Sequence, residues 1–162
     1  DTLTANGNYQ LLAEQAKQVK PARVVIANKE HYSALKSLLQ YENIQIEAGE
    51  DAITQAAAET TDKAIIGIVG VAALKPTLAA IEVGATIGLA NKECLVCAGD
   101  ILLEKAKKKD AKIIPVDSEH NAIYQALQGE SAEKIDYITI TASGGPFRGK
   151  TRAELEDITP QE

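Results

Sequence analysis

The feature that most restricts the fold of this chain is a regular alternation of two kinds of segment. Short runs rich in Val, Ile and Leu occur at Arg23–Ala27, Ile44–Glu47, Ala64–Val69, Thr86–Ala90 and Lys112–Val116. Stretches with helical spacing of apolar residues precede or separate them, over Tyr9–Val19, Lys29–Leu39, Glu50–Thr60, Leu74–Ile81 and Lys92–Lys109. Strands joined through helices pair in parallel, because a parallel pair needs a long crossover and a helix supplies it. The strand runs are almost continuously apolar, as expected where helices cover both faces of the sheet. An α/β fold with a mostly parallel sheet follows.

Beyond Val116 the pattern changes. A helix is expected over Glu119–Leu127, then a polar turn at Gly129, then a strand over Tyr137–Thr141 in which Ile and Thr alternate, then the glycine-rich Ser143-Gly144-Gly145-Pro146. This predicts a domain boundary near Val116, with 1–116 forming the parallel sheet and 117–162 opening a second, α+β domain. The chain begins abruptly at Asp1 with no strand ahead of it and is read as a fragment, its first expected strand being Arg23–Ala27.

Composition removes several function classes. The 162 residues are 45% hydrophobic and carry a net charge of -6, which excludes a disordered chain and gives no basic footprint for nucleic acid or an anionic membrane. The longest apolar run, Ala64–Leu74, ends at Lys75-Pro76, well short of the ~20 residues of a membrane-spanning helix. Two cysteines and no apolar leader point to a reducing compartment. Cys94 and Cys97 form a CxxC without a second pair, inside an expected helix, and are read as small buried hydrophobes sharing one face. No GxGxxG occurs, so Gly67-Ile68-Val69-Gly70 is at most a close approach of backbone to a nucleotide.

In an open α/β sheet the ligand crevice lies beyond the carboxyl ends of the strands. Three segments there carry chemistry. Asn91-Lys92-Glu93 offers an amide, an ammonium and a carboxylate to a sugar or phosphate, or else simply caps a helix. In Asp117-Ser118-Glu119, an extended backbone would point both carboxylates the same way, toward one hard cation such as Mg²⁺ or Mn²⁺. The competing reading is an N-capping Asp or Ser with Glu in the first helical turn. His120, a lone histidine early in a helix, is taken as an ordinary surface or core residue. Ser143-Gly144-Gly145-Pro146-Phe147-Arg148 brings a hydroxyl, open backbone N–H groups and a guanidinium, which suit a phosphate as well as they suit a plain turn.

Taken in order, Leu89-Ala90-Asn91-Lys92-Glu93, Pro115-Val116-Asp117-Ser118-Glu119-His120-Asn121-Ala122-Ile123 and Ala142-Ser143-Gly144-Gly145-Pro146-Phe147-Arg148 resemble the 1-deoxy-D-xylulose 5-phosphate reductoisomerase family. Gly7-Asn8 and the following Leu11-Leu12-Ala13-Glu14-Gln15 suit that family's nucleotide loop and helix. The resemblance implies a partial Rossmann-like NADPH-binding domain over 1–116 and the start of a metal- and substrate-binding catalytic domain over 117–162. It implies an oxidoreductase and isomerase of the non-mevalonate isoprenoid pathway, using NADPH and Mg²⁺ or Mn²⁺ on a small sugar-phosphate substrate. Asp117 and Glu119 match metal ligands. Lys92, Ser118, Glu119 and Ser143 match substrate contacts, with Lys92 and Glu119 closest to the chemistry. Gly7, Asn8, Asn91 and Glu93 match positions beside the cofactor. Family members look like homodimers of the bacterial cytoplasm or the plastid stroma. The alternatives are a noncatalytic α/β scaffold and an unrelated metal-dependent sugar-phosphate enzyme.

Overall fold

The computed structural model describes residues 1–59, 62–140 and 144–159. Six short strands form two parallel sheets of three. In the first, β1 (Thr2–Ala5), β2 (Arg23–Ile26) and β3 (Gln45–Ala48) lie in the order β1-β2-β3, with Leu3 opposite Val24 and Val24 opposite Ile46. In the second, β4 (Lys63–Ile66), β5 (Thr86–Leu89) and β6 (Lys112–Pro115) lie in the order β4-β5-β6, with Ile66 opposite Leu89 and Leu89 opposite Pro115. The chain divides into two compact units, Asp1–Tyr124 and Gln125–Glu162. Both sheets belong to the first.

Helices join the strands as the apolar spacing requires. α1 (Tyr9–Val19) and α2 (Tyr32–Leu38) pack Leu12, Ala16 and Leu35 onto Val24 and Ile26 of the first sheet. α1 starts under Asn8, whose side chain accepts the Leu11 N–H at 3.1 Å, and stops at Lys20 in a left-handed conformation just before Pro21. α3 (Glu50–Ala58), α4 (Leu74–Glu82) and α5 (Glu93–Lys109) serve the second half, and α4 and α5 bury Ala80, Ile81, Leu102 and Ala106 against Ile66, Ile87 and Leu89. Three lysines, Lys107 to Lys109, close the last turn of α5, where cations meet the negative end of the helix dipole. The opposite face of the second sheet carries Ile65, 75% exposed, and Val116 leaning over Gly88.

Three expectations are corrected. Thr2–Ala5 is a strand, although its four residues offered too little pattern to be read as one; Ala27 N–H to Ala5 O at 2.9 Å continues its ladder. The stretch Lys29–Leu39 is not one helix: Lys29–His31 is a 3₁₀ turn under Asn28, and the α-helix begins at Tyr32. Tyr137–Ile140 is not a strand, and Thr141 lies outside the described residues. Its alternation of Ile and Thr expresses β-propensity, but propensity without a partner edge stabilises no ladder. Among the described residues the second unit holds 3₁₀ turns at Ala132–Lys134 and Ala153–Leu155 and no strand.

Candidate functional site

The second sheet aligns the carboxyl ends of its strands. Ala90 N–H donates to Ile66 O at 3.0 Å and Val116 N–H to Leu89 O at 2.9 Å, so the three strands leave the sheet side by side. Asn91 then ties two of these exits together. Its Nδ2 donates to Ile68 O at 2.8 Å and Gly70 O at 3.0 Å, while its Oδ1 accepts the Cys94 N–H at 2.7 Å. With 3% of its surface exposed and its amide fully engaged, Asn91 is a clamp between the loop after β4 and the first turn of α5. Lys92 and Glu93, next in the chain, are exposed at that same rim.

At the end of β6, Asp117 caps α6 (Ser118–Ala126). Its main-chain carbonyl accepts the Asn121 N–H at 2.9 Å, and its Oδ1 accepts the His120 N–H at 3.2 Å. This corrects the extended reading of Asp117 to Glu119: the backbone has turned helical by Ser118 because the cap satisfies N–H groups that a strand end would leave to solvent. The two carboxylates therefore stand on the cap and first turn of a helix and not along one strand face. Asn121 fixes the turn further, donating from Nδ2 to Pro115 O at 2.7 Å. Ser118 and Glu119 are exposed, with Ser118 Oγ 3.4 Å from Glu119 Oε2.

Asp117 is the most constrained acid at the rim, its side chain only 12% exposed. Burial works to raise its carboxyl, but the side-chain and backbone hydrogen bonds from His120, with the charges of His120 and Lys92, outweigh it, and the group titrates below its ordinary value. Leu89 pairs with Pro115, so the first and second motifs leave neighbouring strands at the same edge. An anionic, hydrogen-bonded Asp117 beside an exposed Glu119 is a donor set of hard oxygens, suited to Mg²⁺ or Mn²⁺ with the rest of the shell from water or substrate. No cluster of three or more His, Cys, Asp or Glu forms among the described residues.

The remaining expected residues fall elsewhere. Gly7 and Asn8 follow β1 at the carboxyl edge of the first sheet, Gly7 beneath the His31 ring and Asn8 as the α1 cap; His31 in turn lies against Tyr9, ring centres 4.9 Å apart. Ser143 lies outside the described residues; downstream of it Gly145 has φ +131°, and Arg148 N–H closes a turn onto Gly145 O at 3.2 Å. Cys94 is buried and burial pushes its thiol up, whereas Cys97 is exposed, which corrects the reading of both as buried. A break in α5 follows at Ala98, whose φ and ψ of -148° and 27° are non-helical. Sequence reasoning passed over His120; its signal was the three-residue spacing from a capping Asp, which places a side chain back over the cap.

Two parallel three-stranded sheets joined through helices, with loops, caps and charged groups at their carboxyl edges, define an α/β protein of the class that binds ligands at those edges. The sequence model described as 1-deoxy-D-xylulose 5-phosphate reductoisomerase matches residues 1–99, and that of the reductoisomerase C-terminal domain matches residues 113–162. The chain belongs to the 1-deoxy-D-xylulose 5-phosphate reductoisomerase family. It is 46% identical to the reductoisomerase of Bradyrhizobium sp. strain BTAi1 over 98% of its length and 39% of that protein, and 45% identical to that of Rhizobium etli over 97% and 40%. Among solved structures, the Zymomonas mobilis reductoisomerase in complex with NADPH matches with a TM-score of 0.82 and 43% identity, covering 99% of this chain and 42% of that one. A reductoisomerase in complex with NADPH, fosmidomycin and magnesium matches with a TM-score of 0.73 and 37% identity over 78% of this chain and 33% of the other. The chain thus spans about two fifths of the length of the curated relatives it matches.

Proposed function

We propose that these residues form the nucleotide- and metal-binding part of an enzyme that converts 1-deoxy-D-xylulose 5-phosphate to 2-C-methyl-D-erythritol 4-phosphate, with NADPH and Mg²⁺ or Mn²⁺. Family membership supports the reaction, and solved relatives in complex with NADPH and magnesium support the cofactors. The observation that carries the reading is the pairing of β5 with β6, which brings Asn91–Glu93 and Asp117–Glu119 off neighbouring parallel strands at one carboxyl edge.

In this reading 1–116 is the larger part of the NADPH domain and 117–162 opens the catalytic domain. Asp117 and Glu119 hold the cation, which polarises neighbouring carbonyl and hydroxyl oxygens of the sugar phosphate. Lys92, Ser118 and Ser143 hold the substrate, Lys92 balancing negative charge that develops on its oxygens. Asn91 acts on the cofactor side through its clamp, placing the loop after β4 and Glu93 at a fixed spacing. Gly7 and Asn8 border the adenosine end of NADPH. The hydride comes from the nicotinamide. The complete enzyme is a homodimer of the bacterial cytoplasm or the plastid stroma.

The test is a chimera. Residues 1–159 replace the matching segment of the Zymomonas mobilis relative, and NADPH oxidation is followed with and without 1-deoxy-D-xylulose 5-phosphate. Substrate-dependent oxidation that disappears in Asp117→Ala and Glu119→Ala is expected. A folded chimera that binds NADPH yet turns over nothing overturns the reading. The same assay on the isolated chain should show no turnover, because two carboxylates leave the metal shell incomplete.

A further inference from the structure

The Asp117 carboxylate cannot present both oxygens equally. Its Oδ1 accepts the His120 backbone N–H at 3.2 Å and lies 2.7 Å from His120 Nδ1. A carboxylate only accepts, so the ring proton at that contact sits on Nδ1. Oδ2 makes no hydrogen bond among the described residues. An N-cap alone is a single acceptor bond, about which the carboxylate plane remains free to rock. The second bond, arriving from a ring one helical turn along, fixes that plane.

We propose that His120 is a positioning residue that makes Asp117 a one-oxygen metal ligand and thereby sets a preference for a small octahedral cation over calcium. The inference rests on the metal-ligand reading of Asp117 given above. Mg²⁺ and Mn²⁺ demand near-octahedral shells, which a single fixed oxygen serves. Ca²⁺ takes six to eight oxygens and commonly draws both oxygens of one carboxylate, which a locked Oδ1 refuses. Groups that orient a metal ligand typically change affinity by about 10–100-fold when removed. His120 is half exposed, and its backbone N–H keeps capping α6 whatever side chain stands there, so the side chain is separable from the fold.

The experiment measures free Mn²⁺ by its paramagnetic resonance signal in titrations of the 162-residue chain, with Ca²⁺ as competitor. His120→Ala, His120→Asn and Asp117→Ala are compared, and circular dichroism checks helix content. His120→Ala should weaken Mn²⁺ binding about tenfold or more and narrow the Mn²⁺-over-Ca²⁺ ratio. His120→Asn, whose amide N–H reaches Oδ1 from nearly the place of Nδ1, should restore most of both. Binding that Asp117→Ala removes but His120→Ala leaves unchanged in affinity and ratio overturns the inference and leaves Asp117 as a ligand. Equal weakening of both cations without rescue by His120→Asn also overturns it, by showing a structural role only. No Mn²⁺ binding by the unmodified chain overturns the inference and the metal reading together.

Discussion

Asn91 allows a prediction in which two conservative changes give opposite answers under rival readings. If Asn91 is the three-way clamp described above, Asn91→Ala loses a helix cap, worth about 1 kcal/mol, and strips donors from two carbonyl groups, about 1 kcal/mol each at the lower end for partly buried acceptors. The sum is about 3 kcal/mol, a drop in melting temperature of roughly 6–12 °C for a chain of this size. Asn91→Asp keeps the size and the cap, and a negative charge at a helix N-terminus is by itself favourable. Yet it sets a carboxylate oxygen where Nδ2 now lies, 2.8 Å and 3.0 Å from the carbonyl oxygens of Ile68 and Gly70. Asn91→Asp should therefore be at least as damaging as Asn91→Ala. Thermal and urea unfolding followed by circular dichroism measure both. An Asn91→Asp chain as stable as the parent refutes the clamp, since a residue that only capped α5 would tolerate or welcome that charge.

Glu82 accepts salt bridges from Lys105 and, at 2.8 Å, from Lys109, and their hydrogen bonds lower its carboxyl from the ordinary 4.5 to about 2. A depressed folded pKa contributes stability above pH 4.5 that is lost as the pH falls toward 2, so Glu82→Gln should flatten the pH dependence of the urea midpoint in that window and nowhere else. Gly88→Ala puts a Cβ 2.7 Å from Ile65 Cδ1, the far end of a side chain 75% exposed and free to swing aside, so its cost should stay below about 1 kcal/mol in the same unfolding assay. A thiol reagent should label Cys97 within the mixing time of a native sample and reach buried Cys94 only on unfolding, as intact mass spectrometry will count.

Where an element buries a face, the sequence announced it. Val24, Ile26, Ile87 and Leu89 are fully or almost fully buried, and their runs were legible as strands because helices on a parallel sheet demand unbroken apolar residues. Thr2–Ala5 escaped notice because its burial is only partial and its four residues fit several periods. Tyr137–Ile140 misled for the converse reason: the pattern of a strand says nothing about whether a neighbour exists to pair with it. At the site, residue types and their place after strands were readable, since topology gathers those loops at one edge. That both could cap the helix that follows was readable too, but the carbonyl groups Asn91 holds and the imidazole that holds Asp117 were not. Both engagements depend on carbonyl or N–H groups whose positions follow from the turn geometry: Ile68 and Gly70 for the first, His120 for the second.

The claim on which the account most depends is that Asp117 and Glu119 share one divalent cation at the carboxyl edge of the second sheet. Crystals of the chain soaked in Mn²⁺ and measured at the manganese absorption edge test it directly. The account predicts one anomalous peak bonded to Asp117 Oδ2 and to an oxygen of Glu119. No peak there at saturating Mn²⁺, or a peak touching only one of the two carboxylates, contradicts it.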